Sequence, residues 1–265
     1  MSTPTYEILA LRYATMQERT QAECVMFPDD HSAPMPIDFF VFAIRGGGKT
    51  IMVDTGFDKE SADRRGRSLL RSPELMLADA GIDCGAVENV VLTHMHWDHA
   101  GGIPFFPKAR FHLQDKEMEF CTGRCMCEPV LRRPFDGEHV VNAVRAIFAD
   151  RVSFHDGSGD EIAPGISLHL IPGHSKGIMA VRVPTKRGWV VLAGDTSHYW
   201  KNIRERNPFP VVVNVEQMLA GYKTLESLAD GPDHVIPGHD PLILKKFPRL
   251  NGNPEIVCID QMPIA

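Results

Sequence analysis

Residues 93–102 read THMHWDHAGG, and no other feature constrains this chain as strongly. Within six positions, His94, His96, Asp98 and His99 offer four side chains able to ligate a metal ion. They follow residues 87–93, a valine-rich run that reads as a buried strand, so they stand in a loop at its C-terminal end. Such a loop can aim several side chains at one point, and Gly101-Gly102 lets the backbone turn tightly afterwards. Isolated histidines are usually structural or solvated, but that does not explain four ligand types packed this closely. Imidazole and carboxylate donors suit zinc, manganese, iron or cobalt.

Three further residues repeat the local pattern. His174 lies in LIPGHSKG after a strand-like run at 166–171, and Asp195 in VVLAGDTSH after one at 189–193. His239 lies in HVIPGHDP after a short run at 234–236. Loops at one edge of a sheet converge in space even when far apart in sequence. Five histidines and two aspartates are enough for two ions.

The remaining pattern supplies a scaffold. Residues 6–13, 37–44 and 50–54 read as strands, with Gly46-Gly47-Gly48-Lys49 as a hairpin turn. A phosphate loop would need a helix after those glycines, and a β-type run follows instead. Helical spacing marks 68–80, closed by Gly81, then 139–149 and 215–228. Residues 110–113 and 178–183 are further strands. Strand pairs, then alternating helices and strands, then strands again predict a layered α/β fold rather than a regular βαβ repeat. No Pro/Gly/Ser linker cuts the chain, so residues 1–265 are expected to form one domain, with 114–151 a helical excursion or lid.

Composition excludes several classes. At 265 residues the chain can bury a core without disulfides, and Cys24, Cys84, Cys121, Cys125, Cys127 and Cys258 form no disulfide framework. The net charge of −6 argues against a nucleic-acid backbone as main partner. No stretch approaches the ~20 apolar residues of a membrane helix, and the N-terminus has no signal-peptide pattern. The expectation is a cytoplasmic protein with reduced thiols, no membrane or nucleic-acid partner, and a homodimer as an open assembly.

The string HxHxDH with its later His, Asp and His resembles the metallo-β-lactamase superfamily, from Asp54-Thr55-Gly56 to GHDP at 238–241. The resemblance implies a four-layer αββα sandwich with a dinuclear site between two sheets. Carried over residue by residue, it gives His94, His96 and His174 to one ion and Asp98, His99 and His239 to the other, with Asp195 bridging. The implied cofactors are two divalent ions, zinc first, with manganese, cobalt or iron compatible. Asp54 matches an acid that orients a ligand histidine, and an ordinary turn aspartate is its alternative.

Two ions sharing a water lower its pKa to about 7, so a metal-bound hydroxide is the expected nucleophile. The ions would also polarise a carbonyl and stabilise its oxyanion, while Asp98 passes a proton to the leaving oxygen. No G-x-S-x-G pattern competes. The third histidine of the motif argues against the diiron redox enzymes, and Asp195 against the zinc β-lactamases. Only 26 residues follow His239, short of the helical C-terminal domain of glyoxalase II. The acidic charge disfavours the RNA-processing nucleases. The N-acyl homoserine lactonase branch is closest, on the Asp195-to-His239 spacing and the PGHDP ending. It implies opening of a lactone ring and quorum quenching. The alternatives are another lactone, a cyclic or linear ester, or a glyoxalase II-like thioester. Where that branch often carries tyrosine three residues after the bridging aspartate, this chain has His198 and then Tyr199, either able to donate to the oxyanion.

The ring of Trp97 faces either the pocket mouth or the core. Met26, Met35, Phe39 and Phe40 flank a Pro-rich stretch at 28–36 that could hold an acyl chain, with strand burial the alternative for the two phenylalanines. Cys121, Cys125 and Cys127 match no common zinc spacing and read as structural thiols. His31, His112, His139, His155, His169 and His234 read as structural or solvated.

Overall fold

The computed structural model describes residues 4–264. In chain order the strands are β1 (Glu7–Met16), β2 (Ile37–Gly46), β3 (Lys49–Val53), β4 (Asn89–Val91), β5 (Arg110–Gln114), β6 (Val152–His155), β7 (Ser158–Ala163), β8 (Ile166–Leu170), β9 (Met179–Thr185), β10 (Gly188–Leu192), β11 (Val235–Ile236) and β12 (Ile256–Cys258). The helices are α1 (Lys59–Arg65), α2 (Pro73–Asp79), α3 (Trp97–Ala100), α4 (Asp115–Thr122), α5 (Pro129–Arg132), α6 (Gly137–Phe148), α7 (Trp200–Glu205), α8 (Val215–Leu228) and α9 (Leu242–Lys246). One sheet runs β12-β1-β2-β3-β4-β5-β6 and the other β11-β10-β9-β8-β7.

Period-two alternation explains how these sheets stack. In β2, Phe40, Phe42 and Ile44 join Leu168, Val181, Val190 and Leu192 in the core between the sheets. Phe39, Val41 and Ala43 point the other way, into a core shared with Met76 and Leu77 of α2 and Ala143 and Ala146 of α6. The outer face of the second sheet, with Ala180 and Val191, packs on Met218, Tyr222 and Leu225 of α8. Helices therefore cover both outer faces, in the expected four-layer αββα sandwich of the metallo-β-lactamase fold. With both faces buried, residues 39–44 of β2 and 189–192 of β10 read as unbroken apolar runs.

Several boundaries differ from expectation. The helix expected over 68–80 is only Pro73–Asp79, because Pro73 lacks an N–H and suits a first turn. Leu69 instead pairs with Ala14. Helix α1 was not expected: Asp58 caps it by accepting from Ser61 N at 2.7 Å. Strands β6, β7 and β12 were also unexpected, β7 because its residues are mostly polar and exposed. The strand expected over 87–93 shrinks to three residues. The glycine hairpin forms as expected, with Gly47 and Gly48 at φ 58° and 75°, the left-handed pair that a tight β-turn requires. The excursion over 114–151 is helical, and its Phe120, Phe135, Ala143 and Ala146 lie in the main core. All six cysteines are free. Among the described residues no helix is long and apolar enough to cross a membrane.

His112 is structural. Its Nδ1 lies 3.0 Å from His155 Nε2 and its Nε2 lies 3.1 Å from Asn89 Oδ1. Burial, helped by His155, pushes His112 down to about 4. An unfolded chain takes up that proton near pH 6.5, while the folded chain refuses it until about pH 4. Stability therefore falls as pH drops through this window, by up to about 3 kcal/mol from this side chain. Urea unfolding at pH 7 and at pH 4.5 should show that loss, and His112→Gln should make it smaller. An identical loss in the variant would refute the assignment.

Candidate metal centre

All seven ligand-type residues predicted from sequence meet at one edge of the sandwich. His94 stands just beyond β4, His96 precedes α3, and Asp98 and His99 lie in its single turn. His174 stands between β8 and β9, Asp195 in the tight turn after β10, and His239 just beyond β11. Gly194 takes the left-handed φ of 50° that this turn needs. The side chains form two groups, His94/His96/His174/Asp195 and Asp98/His99/Asp195/His239, all buried. Within each group the donor atoms lie within 4.8 Å of one another, and Asp195 belongs to both. Its Oδ1 is 3.0 Å from His239 Nε2 and 3.2 Å from His99 Nε2, and its Oδ2 is 3.3 Å from His174 Nε2.

The outward hydrogen bonds say which way the ring lone pairs point. His174 Nδ1 donates to the Val211 carbonyl and His239 Nδ1 to the Asp38 carbonyl, both at 2.7 Å. His99 Nδ1 donates to Asp54 Oδ2 at 2.8 Å. Thr93 gives its hydroxyl proton to Asp54 and so accepts from His94 Nδ1 at 3.1 Å. Each of these rings, when neutral, therefore turns the lone pair of Nε2 inward. His94 Nε2, His99 Nε2 and Asp195 Oδ1 are buried without any hydrogen-bond partner. Orphaned acceptors facing one another are costly unless a cation sits among them. The donor set fits two divalent ions.

Electrostatics divide the ligand rings into two sets. Burial pushes His94 and His96 well below the usual range and His174 down to about 3, so these rings stay neutral at pH 7, as ligation requires. Burial also opposes protonation of His99 and His239, but Asp195, with Asp54 or Asp98, outweighs it and raises both. For Asp195 burial is overcome by His198, His239 and His99, which hold its carboxyl well below the usual carboxylate range.

Asp54 orients a ligand rather than merely ending a strand. It sits at φ 64°, and its carboxylate accepts from Thr93 N at 2.8 Å and from His99 Nδ1 at 2.8 Å. Asn tolerates that backbone, so Asp54→Asn keeps the turn while losing the charge. Metal affinity should fall about 10- to 100-fold, read by titration against a competing chelator. Unchanged affinity would argue for a plain turn residue.

Sequence reasoning missed Glu117. This fully buried carboxylate on α4 accepts from Met95 N at 2.9 Å, Gly177 N at 2.9 Å and Ser175 Oγ at 2.6 Å. It ties the loop of His94 and His96 to the loop of His174. A Cβ on Gly177 would stand 2.1 Å from Glu117 N, so only glycine permits the approach.

His198 lies beside the centre, its Nε2 3.1 Å from Asp195 Oδ2 and its ring stacked on Phe209 at 3.7 Å. Tyr199 does not: its hydroxyl donates to the Pro36 carbonyl at 3.2 Å and lies 3.2 Å from Cys24 Sγ, in the core. The backbone there is extended, so neighbouring side chains point to opposite sides, and the expected oxyanion role for Tyr199 is corrected.

A cavity of about 110 Å³ covers the cluster, with Asp98, His198, Phe39 and Trp97 in its wall. The Trp97 ring also packs on Phe57 at 4.5 Å, so it serves core and cavity together. A cleft of about 500 Å³ continues outward from His96, Trp97 and His174. Its apolar wall is Phe120, Val130, Leu131, Phe135 and Val211, rather than the stretch at 28–36. Phe40 lies between the sheets instead. Among the described residues no cysteine joins a metal-type cluster.

A family model for the metallo-beta-lactamase superfamily matches residues 40–239. The probable metallo-hydrolase Rv2300c of Mycobacterium tuberculosis is 28% identical over 223 residues, covering 73% of this chain and 68% of that protein. N-acyl homoserine lactonase AttM of Azorhizobium caulinodans is 26% identical over 235 residues, covering 82% and 87%. A solved N-acyl homoserine lactone hydrolase, with the product N-hexanoyl-L-homoserine at its catalytic metal centre, superposes with a TM-score of 0.73. It covers 92% of this chain and 96% of that one at 19% identity, a likeness of fold.

Proposed function

The chain belongs to the metallo-beta-lactamase superfamily, and from that premise we propose that it is a dinuclear metal-dependent hydrolase that opens a lactone ring. One observation carries the reading: five histidines and two aspartates from four strand ends meet in two buried groups that share Asp195. His94, His96 and His174 would hold one ion, Asp98, His99 and His239 the other, and Asp195 both. The donor set favours zinc. Bound there, the ions supply Lewis acidity for the ester carbonyl and acidify a water.

The protein's own groups do the rest. Asp98 lines the cavity and takes the proton role, receiving it and passing it to the leaving alkoxide oxygen. His198 directs its Nε2 at Asp195, so we assign it to holding that carboxylate in line, not to donating into the oxyanion. Phe39 and Trp97 exclude water from one side of the cavity. The lactonase relatives make N-acyl homoserine lactones, and hence quorum quenching, the first chemistry to test. Six free thiols fit a reducing compartment, and we read the protein as cytoplasmic.

The test is a lactone and ester panel on metal-quantified protein, with pH-stat detection of released acid. Acid release from lactones in proportion to bound metal supports the reading. Fully loaded protein that releases acid from no lactone and no ester overturns it.

A further inference from the structure

The outer cleft carries an unusual charge. Arg19, Arg65, Arg67 and Arg133 line it against a single carboxylate, Glu23, in a chain whose net charge is −6. Many arginines elsewhere have a partner, either a carboxylate, as for Arg12, Arg64, Arg71 and Arg206, or a backbone carbonyl within about 3 Å, as for Arg110, Arg151, Arg182 and Arg187. Among the described residues no carboxylate lies within 4.0 Å of the Arg65, Arg67 or Arg133 guanidinium, and Arg19 has only Glu23, at 3.7 Å.

Arg65 has a structural task. It donates to the Arg133 and Phe135 carbonyls at 3.2 and 2.8 Å and lies 4.8 Å over the Trp97 ring. Arg67 has none of comparable strength: its one hydrogen bond is a 3.5 Å contact to the Gly66 carbonyl, and its Nε is buried without a partner. The Nε of Arg19 is likewise buried without a hydrogen bond, 3.7 Å from Glu23 Oε1, while its Nη2 donates to the Glu23 carbonyl at 3.3 Å. Both residues also line the inner cavity over the seven-residue cluster, so they stand between that cluster and the cleft. Burial and the neighbouring charge of Arg19 press Arg67 below the usual arginine range, an arrangement an incoming anion would relieve.

The rest of the lining is largely apolar, with Phe120, Leu131, Phe135 and Val213. A neutral acyl chain would suit that lining but would strip water from the guanidiniums and give them no partner. A ligand with an apolar body and an acidic group satisfies both the apolar lining and the guanidiniums. Resting on the hydrolase reading for the reaction itself, we propose that the cleft is a carboxylate subsite and that the preferred substrate is a lactone or ester carrying a free carboxylate, gripped by Arg67 with Arg19 and Arg133.

Two matched pairs test this: phthalide carboxylate and γ-butyrolactone-γ-carboxylate, each against its primary carboxamide. The acid should show kcat/KM at least about tenfold higher than the amide, the size of a charge-assisted hydrogen bond. Arg67→Gln should lower that ratio about tenfold, chiefly through KM, and Arg67→Lys should restore part of it. Arg19→Gln, a second variant in case the first folds poorly, should lower it as well. Calorimetric titration with the ring-opened products gives a readout without turnover: wild-type protein should bind the diacid more tightly than its monoamide, and Arg67→Gln should close the gap. Equal handling of acid and amide, or a preference untouched in both variants, overturns the subsite. If no member of either pair is opened, the titration still decides the subsite, and the wider lactone and ester panel decides the hydrolase reading separately.

Discussion

Asp195→Ala should lower hydrolysis by about 10³-fold or more and leave the protein unable to retain both ions. The reason is geometric. Asp195 is common to both groups of candidate ligands, with one oxygen toward His99 and His239 and the other toward His174. Its loss takes a donor from each ion at once and removes one of two carboxylates among five imidazoles. Lewis-acid stabilisation is worth several kcal/mol, and each ~1.4 kcal/mol is a factor of ten in rate. Metals per chain by emission spectroscopy and initial rates on one preparation measure both effects. A variant with two ions and more than a tenth of the parent rate would sink the bridging assignment.

Removal of the ions from the unaltered protein should act on stability as well as activity. A ligand that binds only the folded state stabilises it by about 4 kcal/mol when present at 1,000 times its Kd, and here two sites are filled. The stripped cluster keeps inward-facing, partnerless atoms at His94 Nε2, His99 Nε2 and Asp195 Oδ1. Chelated protein should therefore unfold at markedly lower urea concentration, and stoichiometric zinc should restore both the midpoint and turnover. Metal-free protein that matches the loaded form in both respects would remove the foundation of the proposed function.

The sequence exposed what is local. His94, His96, Asp98 and His99 crowd one strand end, and His174, Asp195 and His239 each follow an apolar run beside glycine, so a short window displays them. The layered α/β fold followed from the order of strand-like and helix-like segments along the chain. What the sequence hid depends on distance or on a single bond. Pro73 starts a helix that apolar spacing alone would begin at residue 68. The polar residues of β7 carry no alternating signal, yet they pair at a sheet edge. Tyr199 stands one residue from His198, and the extended backbone sends it to the other side. Glu117 looks like one more charge in DKEMEF until the fold buries it between two loops. The arginines of the cleft come from residues 19, 65, 67 and 133, a spread with no linear signature.

The centre draws on both sheets: His94, His96, Asp98 and His99 follow the first, while His174, Asp195 and His239 follow the second. Neither group of four is complete with donors from one sheet alone. A growing chain thus exposes its first four donors long before His174 and Asp195 are synthesised, and neither group of four can be complete in that interval. The ions consequently lock a sandwich that has already closed rather than seeding its assembly, and their occupancy reports that the two layers have met in register.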